Sequence, residues 1–503
     1  MNLAGLIADN ALFIPHYKAI ICGDDGREYT WAEFNRLVNK VGNALKKLGV
    51  KKGDRVAVYL PNSPEYLFAY FGIARIGAVA APFNILFRTR EITYILNNSR
   101  AKVLIGSSGE TEQYLIEAQV QTPYLENIIT VGEPVKGALD FHRLVAEAAE
   151  ELETEQCSPD DLVTLMYTSG TTGRPKGAML SHGNFMSIAA VNAKMVQIDD
   201  QDLYLTATPY CHIFFVQSVL GPFYAGAGVM TMKRFHAEKV FELISRYRVT
   251  HFAGVPTMYI FMLEQFEGGK YDLGSWRVAV SAAASMPVEN IKEIREKFGV
   301  EFSETYGATE TSSTVTYGRI GHGKAGSVGP VARGVRVRVV DGSGGELPPG
   351  EVGEILVKGP GVFKGYWEMP KATAEVFTPD GFYRTGDLGR YDEDGYYYIV
   401  DRKKDMLICG GYNVYPREVE EVIYQHPAVM EAAVLGVKDP VRGEVPKAFI
   451  RLKDGAKMSE QELIDFCKQR MASYKVPRNI EFLPELPKSP TGKILKRLLR
   501  ERM

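Results

Sequence analysis

The chain has 503 residues, of which 45% are hydrophobic and 24% charged, and its 59 basic and 61 acidic side chains leave a formal net charge of −2. This length predicts two to four folding units, and the composition excludes an intrinsically disordered chain. The balanced charge offers no broad basic surface for a polyanion, so we predict no nucleic-acid partner.

Cysteine content and hydropathy indicate the compartment. The five cysteines are odd in number and none forms a CxxC motif, which argues against a zinc site or a disulfide framework and predicts a reducing, cytoplasmic environment. The first residues lack the basic and long apolar regions of a signal peptide. The most apolar stretch, residues 66–83, contains Arg75 and is too short to span a bilayer comfortably, so we expect at most peripheral membrane contact.

Strand-like and helical segments alternate through the first three hundred residues. Residues 55–60, 78–83 and 102–107 have the composition of buried strands, and Ser63 to Ile76 has that of a helix. This alternation predicts parallel sheets with helices on both faces. The polar residues 146–161 are expected to form a surface helix followed by a linker.

The pattern changes near Gly326. From there to residue 401, short alternating runs are separated by Gly, Pro and Asp turns, which predicts a small antiparallel unit. The last hundred residues contain an amphipathic helix, two strand-like runs and a further helix, as in a compact α+β domain. The predicted fold class is α/β: an N-terminal domain, residues 1–401, with two parallel α/β subdomains to about residue 325 and a β-rich subdomain from 326, and an α+β domain, residues 402–503.

The strongest motif lies in residues 162–184, LVTLMYTSGTTGRPKGAMLSHGN. A buried-strand run enters a loop of Ser, Thr and Gly that is expected to continue toward a helix. Such a loop presents backbone N–H groups to a polyphosphate, and Lys176 adds a positive charge. It is not a Walker A loop, because Pro175 precedes Lys176 and Gly177 follows it.

Residues 168–177, TSGTTGRPKG, resemble the signature loop of the adenylate-forming superfamily, which includes acyl-CoA synthetases, peptide-synthetase adenylation domains and firefly luciferase. Residues 304–310, 382–390, 401–421 and 489–500 resemble further motifs of that family, in the family's order. The resemblance covers essentially the whole chain and is closest to bacterial or archaeal fatty-acid–CoA ligases. It implies an enzyme that converts a carboxylate and ATP into an acyl-adenylate and then transfers the acyl group to coenzyme A.

The resemblance assigns roles to individual nucleotide-binding residues. It implies that Tyr306 stacks on adenine, that Thr309 bonds the α-phosphate, and that Asp387 and Arg402 bind the ribose. Glu310 would hold Mg²⁺, because a hard cation prefers carboxylate oxygen. The ATP site predicted in this way comprises Thr168, Ser169, Gly170, Thr171, Thr172, Gly173, Lys176, Ala283, Glu304, Thr305, Tyr306, Gly307, Thr309, Asp387, Arg402 and Lys493.

The C-terminal domain is implied to be mobile, with Lys404 as its hinge. In one state Lys493 would reach the site and stabilise charge while the carboxylate attacks phosphorus. In the other state, residues 408–413 would line a path for the pantetheine arm of coenzyme A. The predicted CoA-binding residues are Cys409, Gly410, Gly411 and Tyr412.

Residues 206–215 resemble the family segment that guards the carboxylate site, and His212 is the candidate gate. The resemblance implies three catalytic residues: His212, Lys493 and Thr309. Cys211 and His212 are not expected to form a nucleophile pair, because neighbours along a strand point to opposite faces. The predicted acyl pocket comprises His212, Phe214, Phe215, Gly254, Val255, Met258, Ala282 and Ala283.

Ala282 and Ala283 depart from the family pattern, since many fatty-acyl members carry a glycine pair there. Two added methyl groups are expected to narrow the channel and to disfavour a very long or bulky acid. A fatty acid is the first candidate substrate, and an aromatic or alicyclic carboxylate is the alternative.

Other classes fit less well. A peptide-synthetase adenylation domain places an aspartate after the gate segment, whereas residues 214–218 read FFVQS, and no carrier domain follows Met503. A stand-alone enzyme that loads a carrier protein and a luciferase-like oxygenase remain alternatives, although the SKL ending common in the latter is missing. A catalytically silent nucleotide-binding protein is expected to lose Lys493, Glu310 or Asp387, and all three are present. The expected partners are a small carboxylate, ATP and coenzyme A, and the sequence does not decide between a monomer and a homodimer.

Overall fold

Four β-sheets organise the chain in the computed structural model, which describes residues 1–109, 112–119, 121–168, 175–489 and 492–503. Two large sheets of seven and eight strands are mainly parallel, a four-stranded sheet is antiparallel, and a five-stranded sheet is mainly antiparallel. This arrangement confirms the predicted fold class.

Strands and helices alternate from the start of the chain, as the sequence pattern predicts. The predicted strands at 55–60, 78–83 and 102–107 and the helix at Ser63 to Ile76 are confirmed within one or two residues. The elements of this part are α1 (Gly5–Phe13), β1 (Lys18–Cys22), β2 (Glu28–Thr30), α2 (Trp31–Lys47), β3 (Arg55–Tyr59), α3 (Pro64–Arg75), β4 (Val79–Pro82), α4 (Thr89–Ser99), β5 (Val103–Ser107), α5 (Glu112–Gln119), β6 (Asn127–Val131), β7 (Leu139–Asp140) and α6 (Phe141–Glu147).

The predicted surface helix at residues 146–161 is wrong. Helix α6 ends at Glu147, and the chain then runs in irregular conformation along α2. Its carbonyl groups accept hydrogen bonds from side chains of α2, since Asn39 donates to Glu150 at 2.8 Å and Asn43 to Ala149 at 2.8 Å. These tertiary bonds replace the intrahelical bonds that a polar helix would make.

The central part of the chain builds most of the second large sheet. It also contains one π-helical turn at Val216–Leu220 and one 3₁₀ turn at Thr309–Thr311. The elements are β8 (Leu162–Thr168), β9 (Lys176–Ser181), α7 (His182–Met195), β10 (Leu203–Thr206), α8 (Gly221–Tyr224), β11 (Gly228–Thr231), α9 (Ala237–Tyr247), β12 (His251–Gly254), α10 (Pro256–Gln265), β13 (Val278–Ser281), α11 (Val288–Phe298), β14 (Glu301–Tyr306) and β15 (Thr316–Tyr317).

The last part of the chain forms the two smaller sheets. The predicted β-rich unit and the further helix expected near the end of the chain, here α14, are both present. The elements are β16 (Arg336–Val340), β17 (Gly353–Lys358), α12 (Pro370–Glu375), β18 (Tyr383–Tyr391), β19 (Tyr397–Arg402), β20 (Leu407–Cys409), β21 (Tyr412–Val414), α13 (Pro416–Tyr424), β22 (Val429–Asp439), β23 (Gly443–Leu452), α14 (Glu460–Lys468), β24 (Asn479–Phe482) and α15 (Lys496–Arg500).

Helix α3 shows how local sequence and burial agree. Ser63 caps its start by accepting from the Tyr66 N–H, and Pro64 occupies the first turn, where a missing N–H costs nothing. Every residue of the helix is buried, including Arg75, whose guanidinium donates to Asn39 at 2.7 Å and Asn35 at 2.8 Å. Among the described residues, no helix is long and apolar enough to cross a membrane.

The two large sheets are interleaved in the sequence. The seven-stranded sheet has the order β7-β6-β5-β3-β4-β8-β9, and the eight-stranded sheet the order β15-β14-β13-β12-β10-β11-β1-β2. Strands β1 and β2 therefore join a sheet whose other strands come from residues 203–317. One apolar core includes Phe34 and Phe71 from the start of the chain and Phe215 and Phe223 from the middle, so the two sheets share their packing.

Candidate active site

The Gly-rich loop is closed by a β-hairpin. Strands β8 and β9 are antiparallel, with Thr168 paired to Lys176 at the open end of the loop. The expected helix therefore does not follow the loop directly, because β9 intervenes before α7. Anion binding here would rely on the loop's N–H groups and Lys176 rather than on a helix terminus. The predicted loop residues Ser169, Gly170, Thr171, Thr172 and Gly173 lie outside the described residues.

Lys176 is connected to Glu310 through an aromatic ring. Its ammonium group lies 4.9 Å from the centre of the Tyr366 ring, and the Tyr366 hydroxyl donates to Glu310 Oε1 at 2.8 Å. Glu310 lies on the 3₁₀ turn next to Thr309 and is buried, which raises the pKa of its carboxyl. The sequence analysis missed Tyr366, because nothing in its neighbourhood marks it except an aromatic-rich run.

Tyr306, Asp387 and Arg402 form one cluster, as the predicted nucleotide site requires. The Tyr306 hydroxyl donates to Asp387 Oδ2 at 2.8 Å, and Arg402 Nε lies 3.4 Å from Asp387 Oδ1. Asp387 and Arg402 are register partners on the adjacent strands β18 and β19. Strand pairing therefore aligns the carboxylate and the guanidinium, and the end of β14 brings the tyrosine to them.

Gly307 is required by a close backbone approach. A Cβ atom there would lie 1.9 Å from the carbonyl oxygen of Ser313, so no other residue fits without moving the chain. The tight turn directs the chain from β14 into the 3₁₀ turn that carries Thr309 and Glu310.

Glu304 and Thr305 make contacts away from this cluster. Glu304 accepts a hydrogen bond from the Met286 N–H at 2.9 Å, and burial raises the pKa of its carboxyl to about 7, while Arg417 of the C-terminal domain opposes that rise. Thr305 donates to Gln217 Oε1 at 3.2 Å. These contacts give no direct support for nucleotide binding by either side chain, and that assignment stays a prediction.

Lys493 follows Gly492, whose carbonyl accepts a hydrogen bond from the Thr257 hydroxyl at 3.3 Å. It lies in a hairpin in which Lys488 pairs with Ile494, and we call residues 486–489 and 492–495 the lysine hairpin. Desolvation by the groups around it and the nearby charge of Arg402 lower the pKa of Lys493 to about 8, whereas Asp387 opposes the shift. The residue nevertheless keeps an exposed surface.

His212 lies close enough to Lys493 for the charge of the lysine to affect it. Burial and the positive charge of Lys493 lower the pKa of the imidazole to about 4, so it is neutral near pH 7. Its Nδ1 accepts from the Phe214 N–H at 3.3 Å. A neutral imidazole suits a gate that is positioned by shape and hydrogen bonding.

The strand expected at Cys211 and His212 is wrong. Strand β10 ends at Thr206, and the chain then turns, with the His212 N–H donating to the Pro209 carbonyl at 3.0 Å. Cys211 and His212 are therefore not neighbours on a strand, and strand geometry does not separate their side chains. Burial raises the pKa of the Cys211 thiol to about 12, which keeps it protonated and independently disfavours a nucleophilic cysteine.

The predicted acyl-pocket residues divide between three apolar clusters. Phe214 and Ala282 share one cluster with strands β10, β12 and β13, next to Gly254, which is the register partner of Ser281. Val255 and Met258 pack in a second cluster beneath α10. Phe215 packs against Tyr70 in the core shared by the large sheets, so these contacts do not support its place in the pocket.

Ala283 adopts a conformation that alanine disfavours. Its φ of 72° lies in the left-handed region, where glycine is the usual residue. Ala283, one of the two alanines that depart from the family's glycine pair, therefore occupies a conformation that would suit glycine better.

Gln217 is a buried polar residue that the sequence analysis did not single out. It lies in the π-helical turn and accepts from Thr305, which continues β14 alongside the chain at Ala282. Among the described residues, none accepts a hydrogen bond from the Gln217 amide nitrogen. A single Gln within the apolar run FFVQSVL is the signal that could have identified it.

The predicted CoA-binding residues lie on a hairpin whose tip, residues 410–413, is exposed, whereas Cys409 is buried. Strands β20 and β21 pair from Leu407 to Val414, and we call this segment the glycine hairpin. Gly410 and Gly411 have φ of 59° and 87°, with no atom within 4 Å of an added Cβ. Tyr412 is 60% exposed and stacks on Tyr474 of the same domain, with 4.8 Å between ring centres. The structure does not bring this hairpin to the Tyr306 cluster.

Lys404 lies in the turn between two sheets. Strand β19 of the four-stranded sheet ends at Arg402, and β20 of the five-stranded sheet begins at Leu407. Lys404 is exposed within this turn, and the Asp405 N–H donates to the Arg402 carbonyl at 2.9 Å. Among the described residues, no group of three or more His, Cys, Asp or Glu could hold a metal ion.

Comparison with known families identifies the chain. The AMP-binding enzyme family model matches residues 9–367, and the AMP-binding enzyme C-terminal domain model matches residues 418–493. The chain belongs to the AMP-binding enzyme family, which confirms the predicted resemblance and, with its relatives, an AMP-forming acyl-CoA ligase as the class of enzyme.

Among its relatives, a long-chain-fatty-acid–CoA ligase of Bacillus subtilis (strain 168) is 36% identical, with 99% of this chain and 94% of that protein covered. The solved anthranilate CoA ligase AuaEII, in complex with anthranoyl-AMP, superposes with a TM-score of 0.94 and 33% identity, over 100% of this chain and 97% of that one. MatB from Rhodopseudomonas palustris, 34% identical over 100% and 99% of the two chains, gives a TM-score of 0.91 with ATP bound and 0.83 in its apo form.

Proposed function

We propose that this enzyme activates a fatty acid with ATP and transfers the acyl group to coenzyme A. In the first step a carboxylate oxygen bonds the α-phosphorus while the bond to pyrophosphate breaks. In the second, the thiol sulfur of coenzyme A bonds the acyl carbonyl carbon, its proton leaves, and AMP departs. The supporting observation is the Tyr306, Asp387 and Arg402 cluster, together with the contact of Gly492, the residue before Lys493, with Thr257 at 3.3 Å.

The charges of this cluster fit the first step. We assign Asp387 and Arg402 to the ribose and Tyr306 to the adenine, since a hydroxyl-binding carboxylate and an aromatic ring lie together. Lys493, positively charged below pH of about 8, would stabilise negative charge as phosphorus is attacked. Neutral His212 beside it would orient the incoming carboxylate without adding a charge of its own.

Glu310 is the residue that would hold Mg²⁺. A single buried carboxylate, already oriented by the Tyr366 hydroxyl, suits an ion that binds one or two carboxylates together with substrate phosphates. When bound, the ion would neutralise phosphate charge. The Lys176 ammonium lies 4.9 Å from the centre of the Tyr366 ring and would add a positive charge near the phosphates.

We propose that the C-terminal domain, residues 402–503, turns about Lys404 between the two steps, against an N-terminal domain of residues 1–401. In this structure Lys493 lies near the charges of Arg402 and Asp387, whereas Tyr412 of the glycine hairpin is exposed to solvent. The higher similarity to ATP-bound than to apo MatB supports an arrangement suited to adenylation. In the second state, Cys409 to Tyr412 would line the pantetheine path.

A panel of carboxylates tests the proposed reaction. Pyrophosphate release from ATP should depend on an added acid, and AMP formation should increase when coenzyme A is supplied. Fatty acids of 6 to 18 carbons, benzoate, 2-aminobenzoate and cyclohexanecarboxylate would be compared by kcat/KM. Release without coenzyme A but no thioester with it would instead favour an enzyme that loads a carrier protein.

An aromatic carboxylate with a hydrogen-bonding substituent is the second candidate. The buried Gln217 and Thr305 pair places polar atoms beside the Ala282 wall, which a plain alkyl chain leaves unused. The solved anthranilate CoA ligase shows that a similar fold accommodates such a ring. If 2-aminobenzoate exceeds both benzoate and every fatty acid, this candidate replaces the first.

We also propose a cytoplasmic location. All five cysteines are unpaired thiols, four of them buried, as expected of a chain that folds in a reducing compartment. The substrates ATP and coenzyme A are consistent with that location.

A further inference from the structure

The lysine hairpin is closed by two backbone hydrogen bonds. The Ser489 N–H donates to the Lys493 carbonyl at 2.7 Å, and the Leu495 N–H donates to the Pro487 carbonyl at 2.8 Å. Lys488 lies on the first strand of this hairpin, paired with Ile494. A contact that fixes Lys488 therefore fixes the position of Lys493.

Helix α10 of the N-terminal domain meets this hairpin with one face. Thr257, Phe261 and Glu264 are spaced i, i+4 and i+7, so they share a side of the helix. The opposite side is buried in the second apolar cluster, through Met258, Tyr259, Met262 and Leu263.

Thr257 contacts the hairpin next to the catalytic lysine. Its hydroxyl donates to the Gly492 carbonyl at 3.3 Å. Gly492 has φ of 78°, and a Cβ there would lie 2.7 Å from the Thr257 hydroxyl. A residue other than glycine would therefore press against α10 next to Lys493, which shows how closely the two segments approach.

Phe261 is enclosed by two cations of the C-terminal domain. The Lys488 ammonium lies 5.1 Å, and the Arg451 guanidinium carbon 5.8 Å, from the centre of its ring. Both cations are oriented by Glu431, which is only 2% exposed and lies 2.8 Å from Lys488 and 3.5 Å from Arg451. Burial raises the pKa of Glu264, and Arg451 opposes that rise, so the same arginine also lies near the third residue of the face.

From these contacts we infer that Phe261 is a positioning residue for adenylation: its ring receives Lys488 and Arg451 and so seats Lys493 in the site. The inference rests on the proposed two-step function. The contact joins the two domains only in the arrangement seen here, so rotation of the C-terminal domain must break it. Phe261 thereby favours the first half-reaction over the second without touching substrate.

The matched substitutions are Phe261→Leu, which removes the aromatic face and keeps apolar volume, and Phe261→Tyr, which keeps both. Loss of two partly exposed cation–π contacts should change the equilibrium between the seated and unseated lysine hairpin by about five- to thirtyfold. Single-turnover pyrophosphate release should slow by up to that factor in Phe261→Leu and stay near the parent value in Phe261→Tyr. Acyl-CoA formation from supplied acyl-adenylate should not slow in either variant.

Phe13→Leu provides the control, because this phenylalanine at the end of α1 is 78% exposed and lies in no predicted site. It should change neither half-reaction. A double-mutant cycle with Lys488→Met should show coupling, with a smaller effect of Lys488→Met in the Phe261→Leu background than in the parent.

Amide hydrogen exchange of the lysine hairpin gives a measurement that is independent of catalysis. Exchange should be faster in Phe261→Leu than in the parent, Phe261→Tyr or Phe13→Leu. The inference is overturned if exchange and pyrophosphate release are unchanged in Phe261→Leu, or if both half-reactions slow equally. A parent enzyme that releases no pyrophosphate with any acid would contradict the proposed function instead, whatever the exchange results show.

Discussion

The lysine hairpin and the glycine hairpin belong to the same C-terminal domain but differ in surroundings. The lysine hairpin is seated on α10 and brings Lys493 to the charges of Arg402 and Asp387. The glycine hairpin has open space around Gly410 and Gly411 and exposes Tyr412. A single rigid arrangement leaves one of them unused, so the difference indicates that the domain must move if both take part in the reaction.

The strongest test of this difference is Lys493→Ala. If Lys493 has the proposed role during attack on phosphorus, removing its charge should slow adenylation by about a hundred- to a thousandfold, as for loss of one oxyanion donor. Acyl transfer from supplied acyl-adenylate to coenzyme A should stay near the parent rate. Single-turnover pyrophosphate release and thioester formation measure the two steps, and equal slowing of both would contradict the division between the hairpins.

Gly411→Leu should produce the opposite pattern. If the glycine hairpin lines the pantetheine path as proposed, a side chain at Gly411 would misplace the thiol, and thioester formation should fall by about ten- to a hundredfold. The left-handed φ of 87° adds local strain at an exposed turn, where it should not affect the nucleotide cluster. Gly455→Leu, at another exposed turn of this domain with φ of 76°, is the control and should leave both steps unchanged.

The pH dependence of adenylation sharpens the comparison further. Lys493 carries its charge below its pKa of about 8 and loses it above. For pyrophosphate release, kcat/KM should therefore be level below pH 7 and fall about tenfold by pH 9, since this ratio reports the free enzyme. Lys493→Arg, whose group stays charged, should abolish that decline even if its maximal rate is lower. A decline that persists in Lys493→Arg would point to another group.

The sequence predicted the order of elements well because strand–helix alternation depends on local hydrophobic periods. It failed where tertiary bonds decide the conformation, as at residues 146–161, whose carbonyls are taken by Asn39 and Asn43 of α2. The motifs predicted the Tyr306, Asp387 and Arg402 cluster. Motifs could not predict Tyr366 or Gln217, because a single aromatic or amide residue outside a motif carries no sequence pattern that identifies the residue it contacts.

Ala282→Gly changes the predicted wall of the acyl pocket, which, unlike the two hairpins, belongs to the N-terminal part of the chain. Removing one methyl group from the cluster around Phe214 should shift preference toward longer or bulkier acids by at most about tenfold in kcat/KM. Both half-reactions should shift together, because the wall belongs to neither hairpin. If the parent already prefers the longest acids and the variant has the same profile, the narrowing attributed to Ala282 is wrong.

Ala283→Gly should have the smallest effect. Alanine at φ of 72° is strained, and glycine there should stabilise the fold by about 1 kcal/mol, less a fraction lost to the greater freedom of the unfolded chain. The midpoint of urea unfolding, followed by fluorescence, should rise slightly. Ala284→Gly, at a position without a positive φ, is the control and should be neutral or destabilising.

The interleaved large sheets have a consequence for synthesis on the ribosome. Strand β1 pairs Ile20 with Val229 of β11, so the first strands emerge some two hundred residues before their partner in the sheet. Strand β2 follows directly and can pair with one edge of β1, but the other edge lacks its partner until residue 231 has left the exit tunnel. During that interval the apolar side chains of Ala19 to Cys22, which are buried in the finished enzyme, lack part of their cover. A nascent chain of this design must keep that edge from other strands for the whole interval, which makes chaperone binding to the first thirty residues an expected part of its biogenesis.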